Sequence, residues 1–279
     1  MKITWVDDNL FDENPTGGAE ATNRSLVSIC PYPVTELTPS LLEKKEQLID
    51  NDLVIFGNIK RFSDEQVEWM LDCPVRMKYE HDYWNLVRPN QEQYKKELWE
   101  GCSVCIFHSP AHVETYSKMY PFQFKNIWLQ PSYMDVDKMQ PGEKEDITIY
   151  VGSITIHKGA LDALTWCKAN NIMLHVYGCC DGGGYYNQIV SHPNSIMCGI
   201  LNYSELLKLY AKAKRFIFLP VWIDPFARVV VEARLSDCEL VLNTKVGAMS
   251  YDWWNKNDKE YREILKEKAN SFWNILDLL

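Results

Sequence analysis

The residues best placed to do chemistry are two carboxylates eight positions apart, Asp224 and Glu232, in the stretch Pro220-Val-Trp-Ile-Asp-Pro-Phe-Ala-Arg-Val-Val-Val-Glu-Ala-Arg234. A carboxylate accepts hydrogen bonds from hydroxyl groups and pairs with cations. Asp224 reads as a helix N-cap and Pro225 as the first helical residue, where its missing N–H costs nothing. That reading sets the two carboxylates at the start and second turn of one helix. The free N–H groups of its first turn, around Pro225, Phe226, Ala227 and Arg228, then point toward any anion beyond the preceding strand. A cation, Lys158, stands in the loop Gly152-Ser-Ile-Thr-Ile-His-Lys158-Gly159, and paired glycines, Gly17 and Gly18, precede a helix early in the chain. His81, between Glu80 and Asp82 after an apolar run, is the candidate general acid or base, or a hydrogen-bond donor to a sugar.

These groups need a frame, and the pattern supplies one. Short apolar runs at Ile3–Val6, Leu53–Phe56, Val75–Tyr79, Val104–Phe107 and Ile127–Leu129 predict strands, alternating with helices near 18–29, 40–49, 63–71, 91–100 and 109–119. The same alternation resumes after the charged run 141–146, read as the interdomain linker, with strands at Ile147–Val151, Ile172–Tyr177, Ser195–Gly199, Phe216–Leu219 and Glu239–Leu242. Alternating strands and helices imply βαβ units and parallel sheets, whose ligands lie beyond the carboxyl ends of the strands. The candidate groups fall in such loops or in the opening turns of the helices that follow them. An amphipathic tail, 258–277, predicts a last helix.

Composition narrows the classes. Hydrophobic residues make up 46% of the 279, enough for buried cores, and a net charge of −9 argues against a nucleic-acid partner. No apolar run approaches the length of a membrane span and no signal peptide is visible, so the expectation is a cytoplasmic chain without a transmembrane segment. The nine cysteines read as reduced thiols. Cys102 and Cys105 have metal-site spacing, but in a strand i and i+3 face opposite ways, so no metal is expected there. His108 and His112 are separated by the helix start at Ser109-Pro110 and so do not share a helical face.

Taken in order, the motifs resemble those of the retaining GT-B glycosyltransferases, family 4 in particular. Asp224-Pro-Phe-Ala-Arg-Val-Val-Val-Glu232 is similar to that family's Glu-x7-Glu signature, with Asp for the first Glu and Ala227 for a Gly. The Lys158 loop resembles its Gly-Arg-x4-Lys-Gly, with Ser153 for the Arg. Gly17-Gly18 resembles its glycine loop, and a His in the region of His81 approaches the donor sugar in family members. The resemblance implies a short GT-B chain of two Rossmann-like parallel-sheet domains facing across a cleft. Their bounds would be 1–141 on the acceptor side and 142–255 on the donor side, with 256–279 packing back on the first. It implies a hexosyltransferase of glycan biosynthesis that moves a sugar from a nucleoside-diphosphate sugar to an acceptor hydroxyl, with retention and without metal or other cofactor. Catalysis would rest on His81 and Asp224. Donor binding would rest on Gly17, Gly18, Ser153, Lys158, Pro225, Phe226, Ala227, Arg228 and Glu232, with Glu232 on the ribose and Arg228 compensating for the lost Arg. The acceptor, whether glycan, lipid-linked or protein, is open. So are two other readings, an epimerase or phosphorylase on the same fold and a non-catalytic nucleotide- or sugar-binding relic.

Overall fold

Strands whose every residue is buried are the signature of a parallel sheet covered on both faces, and β1 (Ile3–Val6), β3 (Leu53–Phe56) and β5 (Val104–Phe107) are of that kind. The computed structural model describes residues 1–9, 18–83, 97–119, 123–179 and 184–279. These divide into two units, Met1–Met134 with Ile264–Leu279, and Asp135–Glu263. The first unit adds β2 (Val34–Leu37), β4 (Arg76–Tyr79) and β6 (Ile127–Leu129) in a parallel sheet of order β2-β1-β3-β4-β5-β6. The edge strand β2 was not expected: Val34-Thr-Glu-Leu37 is short, half-exposed and carries too few apolar residues to stand out. Its helices are α1 (Gly18–Ser28), α2 (Glu46–Ile49), α3 (Asp64–Leu71) and α4 (Pro110–Met119). Of the helix expected at 91–100, residues 91–96 lie outside the described residues.

Because successive strand residues face opposite ways, one face of this sheet presents Val54, Phe56, Cys105 and Phe107, packed with Val67 and Met70 of α3. The other presents Ile3, Trp5, Leu53, Ile55, Val104 and Ile106, covered by Leu26 of α1 and by Phe272, Trp273 and Ile275 near the C-terminus. The Trp273 indole donates to the Leu26 carbonyl at 2.9 Å, which satisfies its one polar atom in the core. Cys102 precedes β5 rather than lying in it, so the strand argument for opposite faces fails. Cys102 and Cys105 share one core cluster, their thiols donating to the Leu98 and Trp99 carbonyls at 2.9 and 3.5 Å, and burial pushes the Cys105 thiol well up.

The second unit holds β7 (Glu145–Val151), β8 (Leu174–Tyr177), β9 (Ser195–Gly199), β10 (Ala213–Phe218) and β11 (Glu239–Leu242), all parallel, in the order β11-β10-β7-β8-β9. The charged run is not all linker, since Glu145 and Asp146 already belong to β7, and the units divide earlier, at Met134 and Asp135. Helices α5 (Ala160–Ala169), α6 (Gly184–Val190), α7 (Tyr203–Lys212) and α8 (Arg228–Leu235) belong to this unit, and α9 (Asp258–Asn270) begins in it and passes into the first unit at Ile264. The predicted tail helix stops at Asn270, and a 3-10 segment, Phe272–Leu278, continues. No helix among the described residues is long and apolar enough to cross a membrane.

Candidate functional site

In the second sheet the strand order reverses between β7 and β10, the place where open α/β sheets bind ligands. The loops leaving those two strands carry Lys158 and Asp224. They touch, and the contact requires glycine. Gly159 takes φ +72°, and a Cβ there would overlap the Leu219 carbonyl. Lys158 ends a 3-10 turn, Ile156–Lys158, and its Nζ lies 2.5 Å from Asp224 Oδ2. The Asp224 carboxyl is 7% exposed and the Lys158 side chain 40%.

Asp224 does not cap a helix. Helix α8 begins at Arg228, with Ala227 as its N-cap and no side-chain cap. Asp224 Oδ1 accepts instead from Phe226 N at 3.2 Å, closing a turn, and Pro225 lies in that turn rather than at the first helical position. The turn is braced from behind: Gly247 N donates to the Asp224 carbonyl at 2.8 Å and Ala248 N to that of Phe226 at 3.1 Å. A Cβ at Gly247 would meet both the Asp224 and Pro225 carbonyls. Ala227 sits at φ 60°, ψ 66°, the left-handed region that favours glycine. The carboxylates therefore stand one in a turn and one in the second turn of α8.

Glu232, 2% exposed, takes Arg228 Nε at 2.6 Å and the Tyr203 hydroxyl at 3.1 Å on one oxygen. Arg228 also reaches Tyr203 Oη at 3.0 Å and lies over its ring. Burial opposes the Arg228 charge, but Glu232 and Tyr203 outweigh it, and Arg228 Nη1 is buried without a partner. Burial first, then the Glu232 charge, pushes the Tyr203 phenol up to about 12. Tyr203 is a member of this cluster that the sequence did not single out. Its place as the first residue of a helix after the β9 turn was visible, but not its partner. Ser153 is exposed and its carbonyl accepts from Tyr150 Oη at 3.1 Å, so no cation replaces the missing Arg at that position.

In the first unit Gly18 opens α1, whereas Gly17 lies outside the described residues. His81 is 8% exposed and its flanking carboxylate Glu80 is spent elsewhere, in a fully buried pair with Lys78 that also takes the Tyr116 hydroxyl. Its real neighbours are aromatic. Tyr79 lies 4.4 Å away between ring centroids, and His108 Nε2 lies 2.9 Å from His81 Nδ1. His112 stacks on His108 at 6.2 Å and accepts from His108 N at 3.3 Å. Burial, then His108, Lys78 and His112, hold His81 well below the usual histidine range, so it is a neutral imidazole and not a resting acid. His108 and His112 need not share a helical face to meet, because His108 directly follows β5 and His112 lies in the first turn of α4. The strand-order reversal of this sheet, between β1 and β3, carries another residue the sequence did not mark. This is Asp7, whose Oδ2 accepts from Asn58 N at 3.1 Å and from Asn23 Nδ2 at 3.0 Å. Among the described residues no three His, Cys, Asp or Glu groups are arranged to hold a metal ion.

No protein-family model and no curated protein matches the sequence. Solved structures do match the fold. Over 98% of this chain and 91% of the other, it superposes on HepE of Anabaena in complex with UDP, with a TM-score of 0.71 at 16% identity. The fold is that of the GT-B glycosyltransferases. Within that fold it also resembles the sucrose-phosphate synthase of Thermosynechococcus elongatus, with a TM-score of 0.68 and 13% identity over 96% of this chain and 90% of that one. A glycosyltransferase involved in avilamycin A biosynthesis, AviGT4, matches with a TM-score of 0.61 and 16% identity over 96% and 91%. A GT-B chain has its two sheets in separate units, and both units here are present with their parallel strands.

Proposed function

We propose that this chain is a retaining, metal-independent hexosyltransferase that moves a sugar from a nucleoside-diphosphate sugar to an acceptor hydroxyl. The observation that carries the reading is the Lys158–Asp224 pair at the strand-order reversal of the second sheet. It places one cation and one hydroxyl-binding carboxylate side by side where the fold binds ligands, and the GT-B relative HepE was solved with UDP. Charge builds on the β-phosphate as the sugar departs, and a fixed cation with aligned N–H groups meets that charge at no reorganisation cost. Lys158 and the first-turn N–H groups of α8 would supply them, in place of a metal ion. A diphosphate carries more negative charge than Asp224, so it would draw Lys158 away and leave that carboxylate to accept sugar hydroxyls. Asp is one methylene shorter than Glu, which favours a donor held close to the turn. Glu232 retains lone pairs beyond those used by Arg228 and Tyr203, and these would take the ribose hydroxyls.

The test is a thermal-shift titration with UDP, GDP and ADP in the presence of chelator, followed by turnover of the matching nucleotide sugars. Binding to the folded state raises the melting temperature by mass action. Stabilisation by one diphosphate that chelator does not abolish, followed by transfer yielding the donor's own anomer, is the expected result. An inverted anomer would refute retention, and binding without turnover of any nucleotide sugar would support a non-catalytic binding protein, the reading that Ser153 favours.

A further inference from the structure

Strands β4 and β5 bring two buried histidines together at the carboxyl end of the first sheet, and their hydrogen bonds settle where the hydrogens lie. His108 Nδ1 is 3.0 Å from the backbone oxygen of Gln130. A carbonyl oxygen only accepts, so Nδ1 of His108 carries a hydrogen. Both rings are buried, His108 at 3% exposure, which disfavours a cation in the pair. The neutral His108 ring then has a lone pair at Nε2, which faces His81 Nδ1. That contact is a bond only if His81 Nδ1 holds the hydrogen. The donors run from His81 to His108 to Gln130, and the chain ends with His81 Nε2 bare, buried and without a partner. A buried acceptor without a donor is costly to the fold. Nothing among the described residues fills it.

We propose that His108, anchored by Gln130, is a positioning residue that holds His81 as its Nδ1–H tautomer, so that Nε2 accepts a hydrogen bond from a sugar hydroxyl. This rests on the glycosyl-transfer reading, because a hydroxyl-rich ligand is what supplies the missing donor. It reverses the sense expected of a histidine that donates to sugar: His81 would select for a hydroxyl and against an ether or deoxy carbon at that place.

The experiment has two arms. The first is ¹H–¹⁵N spectroscopy of the imidazoles in the unliganded wild-type protein, with His81 assigned by the loss of its signals in His81→Asn. The expected signature is a protonated Nδ1 and an unprotonated Nε2. A protonated Nε2 overturns the proposal and needs no variant of His108. The second arm compares His108→Leu, which removes the acceptor, with His108→Gln, whose amide oxygen can stand where Nε2 stood. His108→Leu should mix the His81 tautomers and lower transfer by about tenfold, the weight of one hydrogen bond. His108→Gln should restore both. A changed tautomer with unchanged transfer overturns the role toward the sugar. Absence of turnover with every nucleotide sugar would instead defeat the transferase reading, and the wild-type spectrum would still decide the tautomer.

Discussion

Asp7→Asn isolates the contribution of one buried carboxyl to the pH dependence of stability. Asp7 is buried at the carboxyl end of β1, and burial, opposed by the Asn58 N–H and reinforced by Asp8, raises its carboxyl from 3.8 to about 7. A carboxyl with a raised folded pKa binds its proton more tightly in the native state. Its contribution to stability is complete below the unfolded pKa and is lost as the pH climbs from 3.8 to about 7. The loss is about 1.4 kcal/mol per pH unit. Asparagine keeps a carbonyl oxygen for the Asn58 and Asn23 donors and does not titrate. Urea unfolding of both proteins between about pH 5 and pH 8 should therefore show the variant gaining about 3 kcal/mol on wild type, two units' worth, with the gain ending near pH 7. Buried histidines such as His81 and His112, whose pKa values are lowered, pull stability down on acidification instead, but they are common to both proteins and cancel in the difference. A constant difference across that range would refute the argument, since it would mean Asp7 is ionised in the folded protein throughout.

Two further outcomes follow from the second unit. Ala227→Gly relieves a left-handed alanine, worth about 1–2 kcal/mol, and gives back about 0.5–1 in unfolded-chain entropy, so thermal unfolding should show a net stabilisation of about 0.5–1 kcal/mol; a destabilised variant would contradict it. Glu232→Ala leaves Arg228 buried without its counter-charge and should lose about 3–5 kcal/mol by denaturant unfolding, whereas Glu232→Gln, which also lacks the charge but keeps an acceptor for Tyr203 and Arg228, should lose less; equal losses would show that the acceptor oxygen contributes nothing beyond the charge.

The relation between the two candidate carboxylates changed most between sequence and structure. In the linear text, Asp224-Pro225 has the form of a helix start, because an N-cap and a first-position proline are local signals. The turn that replaces it depends on Val246, Gly247 and Ala248, whose backbone pairs with residues 224–226 from 22 or 23 positions away. Local capping preference loses to that bracing. The Cys102–Cys105 contact has a similar cause, since the two faces of a strand are assigned correctly only once its first residue is known, and β5 starts at Val104.

The sequence alone determined the strand and helix alternation, the two-sheet architecture and the loops in which chemistry can occur. Those follow from periodicity and from runs such as Leu53–Phe56, where every residue must be buried, and both are local properties. It also identified Lys158, Asp224 and Glu232 as residue types able to hold phosphate and hydroxyl groups. Only the tertiary structure decided the partners. Lys158 meets Asp224 because β7 and β10, 62 residues apart at their closest ends, are neighbours in the sheet, and Glu232 meets Tyr203 because α7 packs beside α8. His81, His108 and Gln130 align because β4, β5 and β6 are adjacent and end together. Spacing along the chain carries no trace of such pairings. They are made by the lateral order of parallel strands, which long crossover connections set and no short motif records.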